Sequence, residues 1–204
     1  MKLSQTLKAS VTILEGELMQ YIQHHYYHIY NRGNNRQPIF LEDDNYIYLL
    51  KMFKEKKDKY SITILAYCLM PNHYHLFLRQ DGTHPISNFL KTVFQSYVQA
   101  FNKKYQRSGK LFEGNAQGKV IDDEGHLYHI CRYIHLNPVD AGLVISPGDW
   151  TYSNYLEFVD ERKGTLYDRE FVNSLYANGE EYAKFVNEYA EEKSNNEKIE
   201  KYLF

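Results

Sequence analysis

Residues 24–79 alternate between stretches with the two-residue period of a β-strand and one stretch with the spacing of an amphipathic helix. The predicted strands cover residues 24–32, 61–69 and 73–79. Pro71-Asn72 supplies the turn that joins the last two strands into a hairpin. The predicted helix has the acidic residues 42–44 in its first turn and ends in the basic run 54–59, an arrangement that suits the helix dipole.

The clearest helix of the chain comes next. Pro85 stands at its start and Ser108-Gly109 at its end. Its apolar residues keep to one face: Ile86, Phe89, Leu90, Val93, Phe94, Tyr97, Phe101 and Tyr105. A short strand over 116–122 and a helix over 124–136 follow, and Asn137-Pro138 is expected to end that helix.

The order strand, helix, strand, strand, helix, strand is the split βαβ, ferredoxin-like arrangement of the α+β class. We therefore predict an antiparallel sheet with helices on one face, and the helix over 124–136 as an extra element. The predicted division is a leader over residues 1–21, a core domain over 22–158 and an acidic, helical extension over 159–204.

Composition narrows the class of protein. With 43% hydrophobic and 25% charged residues, the 204-residue chain is neither disordered nor a membrane protein. The N-terminus lacks the apolar region of a signal peptide, so a cytoplasmic protein is expected. Cys68 and Cys131 form no CxxC pair, which argues against a disulfide framework and a cysteine zinc site.

The charge is unevenly distributed. The chain has a net charge of −2, but residues 157–204 hold 12 acidic and 7 basic residues. Residues 1–156 consequently hold 17 basic and 14 acidic residues. The slight basic excess of the body is a weak indication of a polyanionic partner.

His73 and His75 are the first candidates for chemistry. Side chains alternate along a strand, so the two imidazoles share one face while Tyr74 faces the other. Such a pair can bind a metal ion, although two ordinary strand histidines would show the same pattern.

The helix over 124–136 strengthens the first interpretation. One flank of its apolar stripe carries His126, Tyr133 and Asn137, and the last two lie one turn apart. The alternative is a tyrosine at the core boundary and an asparagine that ends a helix. His126 and His129 compete for a metal or proton-transfer role, but each is more simply explained as a non-ligand.

Together these residues predict phosphoryl transfer. A divalent cation held by two imidazoles and an amide oxygen can polarise a phosphodiester as a Lewis acid. Tyrosine can form a covalent intermediate, and its phenolate can leave again, so that strands can be rejoined as well as cut.

Four segments then resemble one family. They are YHIYNRGNNR at 27–36, MPNHYHL at 70–76, RYIHLNPVDAGLV at 132–144 and WTYSNY at 150–155. In this order they resemble the single-tyrosine HUH transposases, most closely the IS200-like, REP-associated tyrosine transposases. Asn115-Ala116 departs from the family, in which many members carry Arg-Phe, and this puts one phosphate or base contact in doubt.

The resemblance implies a site and a reaction. His73 and His75 match the pair that binds Mg²⁺ or Mn²⁺, Asn137 matches the third ligand, and Tyr133 matches the catalytic tyrosine on the extra helix. The implied enzyme cleaves single-stranded DNA near hairpins, forms a 5′-phosphotyrosine and releases a 3′-hydroxyl that can reverse the step. The resemblance implies single-stranded or hairpin DNA as the partner and no association with a membrane. It implies a protein that acts as a monomer or as a homodimer.

Seven basic residues are candidate DNA contacts: Arg32, Arg36, Lys91, Lys103, Lys104, Arg107 and Lys110. For any one of them, a solvated surface position is the simpler interpretation. Two alternative functions stay open. One is a DNA-binding module, for example an autorepressor, that keeps the fold without using the chemistry. The other is a metal-dependent hydrolase unrelated to DNA, which would leave Tyr133 unexplained.

Overall fold

A computed structural model describes residues 21–193 of the chain, with the side chains at 124 and 191–193 left undescribed. The predicted leader, apart from Tyr21, and the end of the extension lie outside the described residues. The strands are β1 (Tyr26–Arg32), β2 (Ile62–Met70), β3 (His73–Gln80) and β4 (Gln117–Ile121). The helices are α1 (Asp43–Lys56), α2 (Ile86–Lys104), α3 (Glu124–Asp140), α4 (Tyr155–Phe158), α5 (Arg169–Leu175) and α6 (Gly179–Lys193).

The four strands form one antiparallel sheet in the order β2-β3-β1-β4. Both central strands, β1 and β3, therefore have neighbours on each side. This order follows from the two crossovers, because α1 carries the chain from β1 past the place of β3, and α2 carries it from β3 past β1. The predicted ferredoxin-like, α+β fold is confirmed.

Each face of the sheet buries its own hydrophobic core. The first core joins the sheet to α1 and α2, with Leu49, Phe53 and Phe89 fully buried. The second joins the other face to α3, α5 and α6, with Cys131 and Val186 fully buried. The predicted helices thus cover one face as expected, and the extra helix and the extension cover the other.

Helix α3 is longer than predicted, since it ends at Asp140 and contains Pro138. Proline removes the N–H that would bond to the carbonyl of Ile134. The Asn137 amide compensates, because its Nδ2 donates to the carbonyl of Tyr133 at 2.8 Å and lies 3.5 Å from that of Ile134. Gly142, two residues after the last helical residue, has a φ of +67°, a value that suits glycine just beyond a helix end.

Two other boundaries also differ from the prediction. β1 begins at Tyr26 rather than at residue 24, because His24 has a φ of +64° that breaks the extended chain. Helix α2 ends at Lys104, four residues before Ser108, since Gln106 has a φ of +51°. Neither change alters the order of the elements.

The extension packs on the helix that carries Tyr133. The buried guanidinium of Arg132 lies between the rings of Phe185 and Tyr189, 4.3 and 3.7 Å from their centroids. The buried ring of His135 accepts a hydrogen bond at Nδ1 from the Tyr182 hydroxyl, at 2.5 Å. Residues 159–193 thereby stabilise α3, while the proposed domain boundary at residue 158 stays a prediction.

The edge of the sheet at β2 is closed by the WTYSNY segment. The Leu69 N–H donates to the carbonyl of Tyr152 at 2.9 Å, and the Trp150 indole donates to the carbonyl of Leu69 at 3.1 Å. Asn154 is fully buried there. Its side chain accepts from the Tyr67 N–H and from His135 Nε2, and donates to the carbonyl of Leu65.

None of the helices within the described residues has the length and hydropathy that a membrane span requires. Cys68 and Cys131 are both buried free thiols in the second core.

Replacing Asn154 with alanine is expected to lower the free energy of unfolding by about 2–4 kcal/mol, because three buried polar groups lose their partner. Urea denaturation measures the change. Asn88→Ala, at an exposed position of α2, is the control and should cost less than about 1 kcal/mol. Equal effects of the two substitutions would contradict the role given to Asn154.

Candidate functional site

The site begins at the pairing of the two central strands. Tyr30 lies directly opposite His75 in the β1–β3 register, and Arg32 lies opposite His73. Because side chains alternate, His28 and Tyr30 of β1 share the face that carries both histidines of β3. Tyr74 points to the other face, where it is buried in the first core.

The two predicted metal ligands differ in their surroundings. His75 is buried, and its Nδ1 lies 3.0 Å from Nε2 of His28. His73 is partly buried, and its Nδ1 donates to Oδ1 of Asn72 at 2.7 Å. Burial lowers the pKa of both His73 and His75, most strongly for His75, so both rings are neutral near pH 7.

Helix α3 brings the tyrosine to these histidines. The Tyr133 ring packs edge-on against His75 and His28, with centroid distances of 5.5 and 5.8 Å. One turn later, the Asn137 side chain lies beside both His73 and Tyr133, close enough to influence the pKa of each. The four predicted residues thus form one cluster, in which Asn137 connects the phenol to the imidazoles.

The phenol of Tyr133 is hard to ionise in this cluster. Burial, chiefly, and the negative charge of Asp140 raise its pKa to about 12, whereas the hydrogen bond from Asn137 acts in the opposite direction. At neutral pH the hydroxyl is therefore protonated, and it can attack a phosphorus atom only if its proton is removed.

The donors at this site suit a divalent cation. Among the described side chains, no group of three or more His, Cys, Asp or Glu residues could hold a metal ion. The candidate donors are instead two neutral imidazoles and one amide, from His73, His75 and Asn137. The unprotonated nitrogen of a neutral imidazole and the oxygen of an amide each carry a lone pair that can bind a metal ion. These three residues therefore suit a divalent cation.

Comparison with known proteins gives the family. The family model described as "Transposase IS200 like" matches residues 21–137, which is more than half of the 204 residues and includes all four clustered side chains. The chain belongs to this family. Transposases are a class of DNA-cleaving and DNA-joining enzymes.

One relative of this IS200-like transposase is a protein of Haemophilus influenzae (strain ATCC 51907 / DSM 11121 / KW20 / Rd), named as a REP-associated tyrosine transposase. The two are 31% identical over 114 residues, which cover 50% of this chain. The match spans 64% of the relative, slightly under two thirds of its length.

One solved structure agrees in fold, and a second gives a lower score. A REP-associated tyrosine transposase bound to a REP hairpin superposes with a TM-score of 0.59 at 18% identity, covering 76% of this chain and 94% of that one. A protein of Deinococcus radiodurans R1, described as a transposase, gives a TM-score of 0.42 at 17% identity, covering 58% of this chain and 94% of the other.

Other candidates on α3 of this IS200-like transposase lie away from the cluster. His126 is exposed. His129 accepts a hydrogen bond at Nδ1 from Arg132, at 2.9 Å, beside α6. Arg132 points toward α6 rather than toward Tyr133, as its position on the helical wheel predicts.

The seven basic candidates for DNA contacts differ in whether other side chains already engage their charge. Arg32 forms an ion pair with Glu113, and Lys104 forms ion pairs with Glu42 at 2.5 Å and Asp44 at 3.1 Å. The Arg107 guanidinium lies 5.5 Å from the centroid of the Phe101 ring. The other four candidates are exposed: Arg36, Lys91, Lys103 and Lys110.

Sequence reasoning missed three residues near the cluster, namely His28, Asn72 and Lys119. The alternation of side chains along β1 indicates which face of the sheet carries His28. The residue that His28 meets across the sheet, however, depends on the strand order. Lys119 lies opposite His28 in the β1–β4 register, and its charge lowers the pKa of His28 further below the value set by burial, to about 3. In the sequence, Asn72 shows only the pattern of a turn residue.

Removing the charge of Asp140 should make the Tyr133 phenol easier to ionise. Asp140→Asn is expected to lower the pKa of Tyr133 from about 12, because a nearby carboxylate destabilises the phenolate. Titration of ¹³C-labelled tyrosine by NMR, with Tyr133→Phe to assign the signal, measures this pKa. Glu55→Gln on α1 is the control, and an equal shift there would show that the effect is not local.

Proposed function

We propose that this chain is a metal-dependent endonuclease and strand transferase for single-stranded DNA, and that it forms a 5′-phosphotyrosine near DNA hairpins. The observation that supports this most strongly is the contact of Tyr133 with His75, together with the position of the Asn137 side chain beside His73 and Tyr133. A nucleophile and three metal donors within one cluster suit phosphodiester cleavage better than any function without DNA. Membership of a transposase family agrees with it.

In the proposed reaction, the Tyr133 oxygen attacks phosphorus and forms a P–O bond to the tyrosine. The bond from phosphorus to the 3′-oxygen breaks, and that oxygen leaves with a proton as a free 3′-hydroxyl. The tyrosine proton passes to solvent. Attack of a 3′-hydroxyl on the phosphotyrosine reverses every bond change, so that a strand is joined without an external energy source.

The residues of the cluster have separate tasks in this scheme. His73, His75 and Asn137 would hold Mg²⁺ or Mn²⁺, which supplies Lewis-acid polarisation of the phosphodiester when it is bound. Asn137 also favours ionisation of the phenol, because its side chain acts to lower the pKa of Tyr133. Partial burial of the phenol limits access of water, which protects the covalent intermediate from hydrolysis.

One chain supplies all the parts of the proposed site. Tyr133 meets histidines of the same chain, because α3 packs back onto the face of β3. We therefore propose that a single subunit can carry out the cleavage step. The hairpin partner is supported by the solved relative that is named as bound to a REP hairpin.

A cavity on the opposite face of the sheet adds a candidate DNA contact. Its volume is about 890 Å³, and it lies between α2 and the segment 112–116. Lys91 lines it together with Asn31, Asn115 and Ala116. A lysine beside a cavity lined by both amide and aromatic side chains could contact the phosphate of a nucleotide whose base enters the cavity.

Covalent trapping tests the proposed reaction. Wild-type protein mixed with Mn²⁺ and labelled single-stranded oligonucleotides from the flanks of its gene should give a shifted band on a denaturing gel. Tyr133→Phe should abolish the band and leave native DNA binding largely intact, since only the nucleophilic oxygen is lost. Tyr128→Phe changes an exposed tyrosine of the same helix and should keep the band.

The contrary outcomes are equally specific. A band that persists in Tyr133→Phe would assign the nucleophile to another tyrosine. Native binding with no band in any variant would favour a DNA-binding module or autorepressor that has the fold but not the chemistry.

Salt dependence separates the basic residues of α2. Lys91→Gln should reduce the slope of log affinity against log salt for single-stranded DNA by about 0.7, the value for one lost phosphate contact. Lys104→Gln should change the slope much less, because Glu42 and Asp44 already neutralise Lys104. Filter-binding titrations from low to high salt measure both slopes. The reverse order would show that the DNA runs past the end of α2 and not past the cavity.

A further inference from the structure

His28 is a polar group of the cluster that has no task in the reaction above. Its ring is only 4% exposed. Nε2 of His28 lies 3.0 Å from Nδ1 of His75, and the two rings meet edge to edge and are nearly coplanar, with centroids 5.2 Å apart and planes at 19°. The two neutral imidazoles therefore share one hydrogen bond, with one proton between these nitrogens.

The position of that proton decides what His75 can bind. A neutral imidazole carries one proton, and its other nitrogen has the lone pair. If Nδ1 of His75 carries the proton, its Nε2 can bind a cation. If Nε2 of His28 carries it, the proton of His75 must be on its own Nε2, which then cannot bind.

His73, two residues earlier on the same face, shows which arrangement the site uses. Its Nδ1 lies 2.7 Å from the Oδ1 atom of Asn72, an oxygen that can only accept a hydrogen bond. Nδ1 of His73 therefore carries the proton, and Nε2 has the lone pair. A common cation for the two rings requires the same tautomer at His75.

We propose that His28 is a positioning residue: it accepts the Nδ1–H of His75 and thereby fixes the tautomer and ring orientation in which Nε2 of His75 can bind the divalent cation. The proposal rests on the metal-dependent function proposed above. A hydrogen-bond partner on the second nitrogen is the usual support of a metal-binding histidine, and here a second imidazole takes the place of the common carboxylate or carbonyl.

The surroundings of His28 suit this task. Tyr30 lies on one side of the ring at a centroid distance of 5.2 Å, and Tyr133 packs edge-on at 5.8 Å. These contacts hold the imidazole against His75. His28 is not a third ligand, because its Nε2 is already engaged by His75 and cannot bind the cation at the same time.

The tautomer can be measured without any metal. In histidine-labelled, metal-free protein, long-range ¹H–¹⁵N NMR should show His75 protonated on Nδ1. In His28→Phe, which keeps a flat ring but removes the acceptor, signals of the Nε2–H form of His75 should appear. In His28→Gln, whose amide oxygen can accept the same proton, the wild-type tautomer should return.

Metal affinity supplies the second readout. Loss of the free Mn²⁺ signal in electron paramagnetic resonance titrations gives the dissociation constant. His28→Phe should weaken Mn²⁺ binding by about tenfold or more, the usual effect of removing such a supporting partner. His28→Gln should recover most of the affinity. His84→Phe, which replaces an exposed histidine after β3, should leave the dissociation constant unchanged.

Two results would overturn the proposal. The first is an Nε2–H tautomer of His75 in the wild-type protein, a measurement that does not depend on any variant being folded. The second is a folded His28→Phe protein with unchanged tautomer and Mn²⁺ affinity. Absence of Mn²⁺ binding in the wild type, with the Nδ1–H tautomer present, would instead refute the metal dependence of the proposed function and leave His28 with a structural hydrogen bond only.

Discussion

The hydrogen-bonded register of β1 with β3 in the middle of the sheet is the constraint from which the site follows. It places Tyr30 opposite His75 and brings His28 within 3.0 Å of the same ring. A slip of one residue would turn the imidazoles toward the hydrophobic first core. The register is maintained by that core, because Ile29 and Leu76 are fully buried on the other face.

A polar cluster on a sheet must also be covered by an element that satisfies its side chains, and α3 does so. Asn137 supports the end of this helix through the Tyr133 carbonyl, and its amide lies beside the side chains of His73 and Tyr133. The amide thus serves the stability of the helix and the geometry of the site at once. The side chain of Asn137 thereby helps to compensate for the backbone N–H that Pro138 lacks.

The C-terminal extension, residues 159–193, packs against α3 and supports it. Arg132, next to Tyr133 in sequence, is held between two aromatic rings of α6, and His135 is held by Tyr182 and Asn154. The acidic residues of this segment agree with a role in packing, since phosphate binding depends on positive charge. The burial that these helices impose lowers the pKa of His135 to about 4, so the ring stays neutral and matches its hydrogen bonds.

The sequence by itself determined the order of the elements, the shared face of His73 and His75 and the one-turn spacing of Tyr133 and Asn137, because these depend on local periods of two and 3.6 residues. Its four motifs were also sufficient for the family. Only the tertiary structure decided that His28 supports His75, that Arg32 and Lys104 are ion-paired, and that α3 continues through Pro138. The first two depend on atoms that are far apart in the chain, and the third depends on a side-chain hydrogen bond that outweighs a local preference. Spacing along the sequence reveals neither kind of interaction.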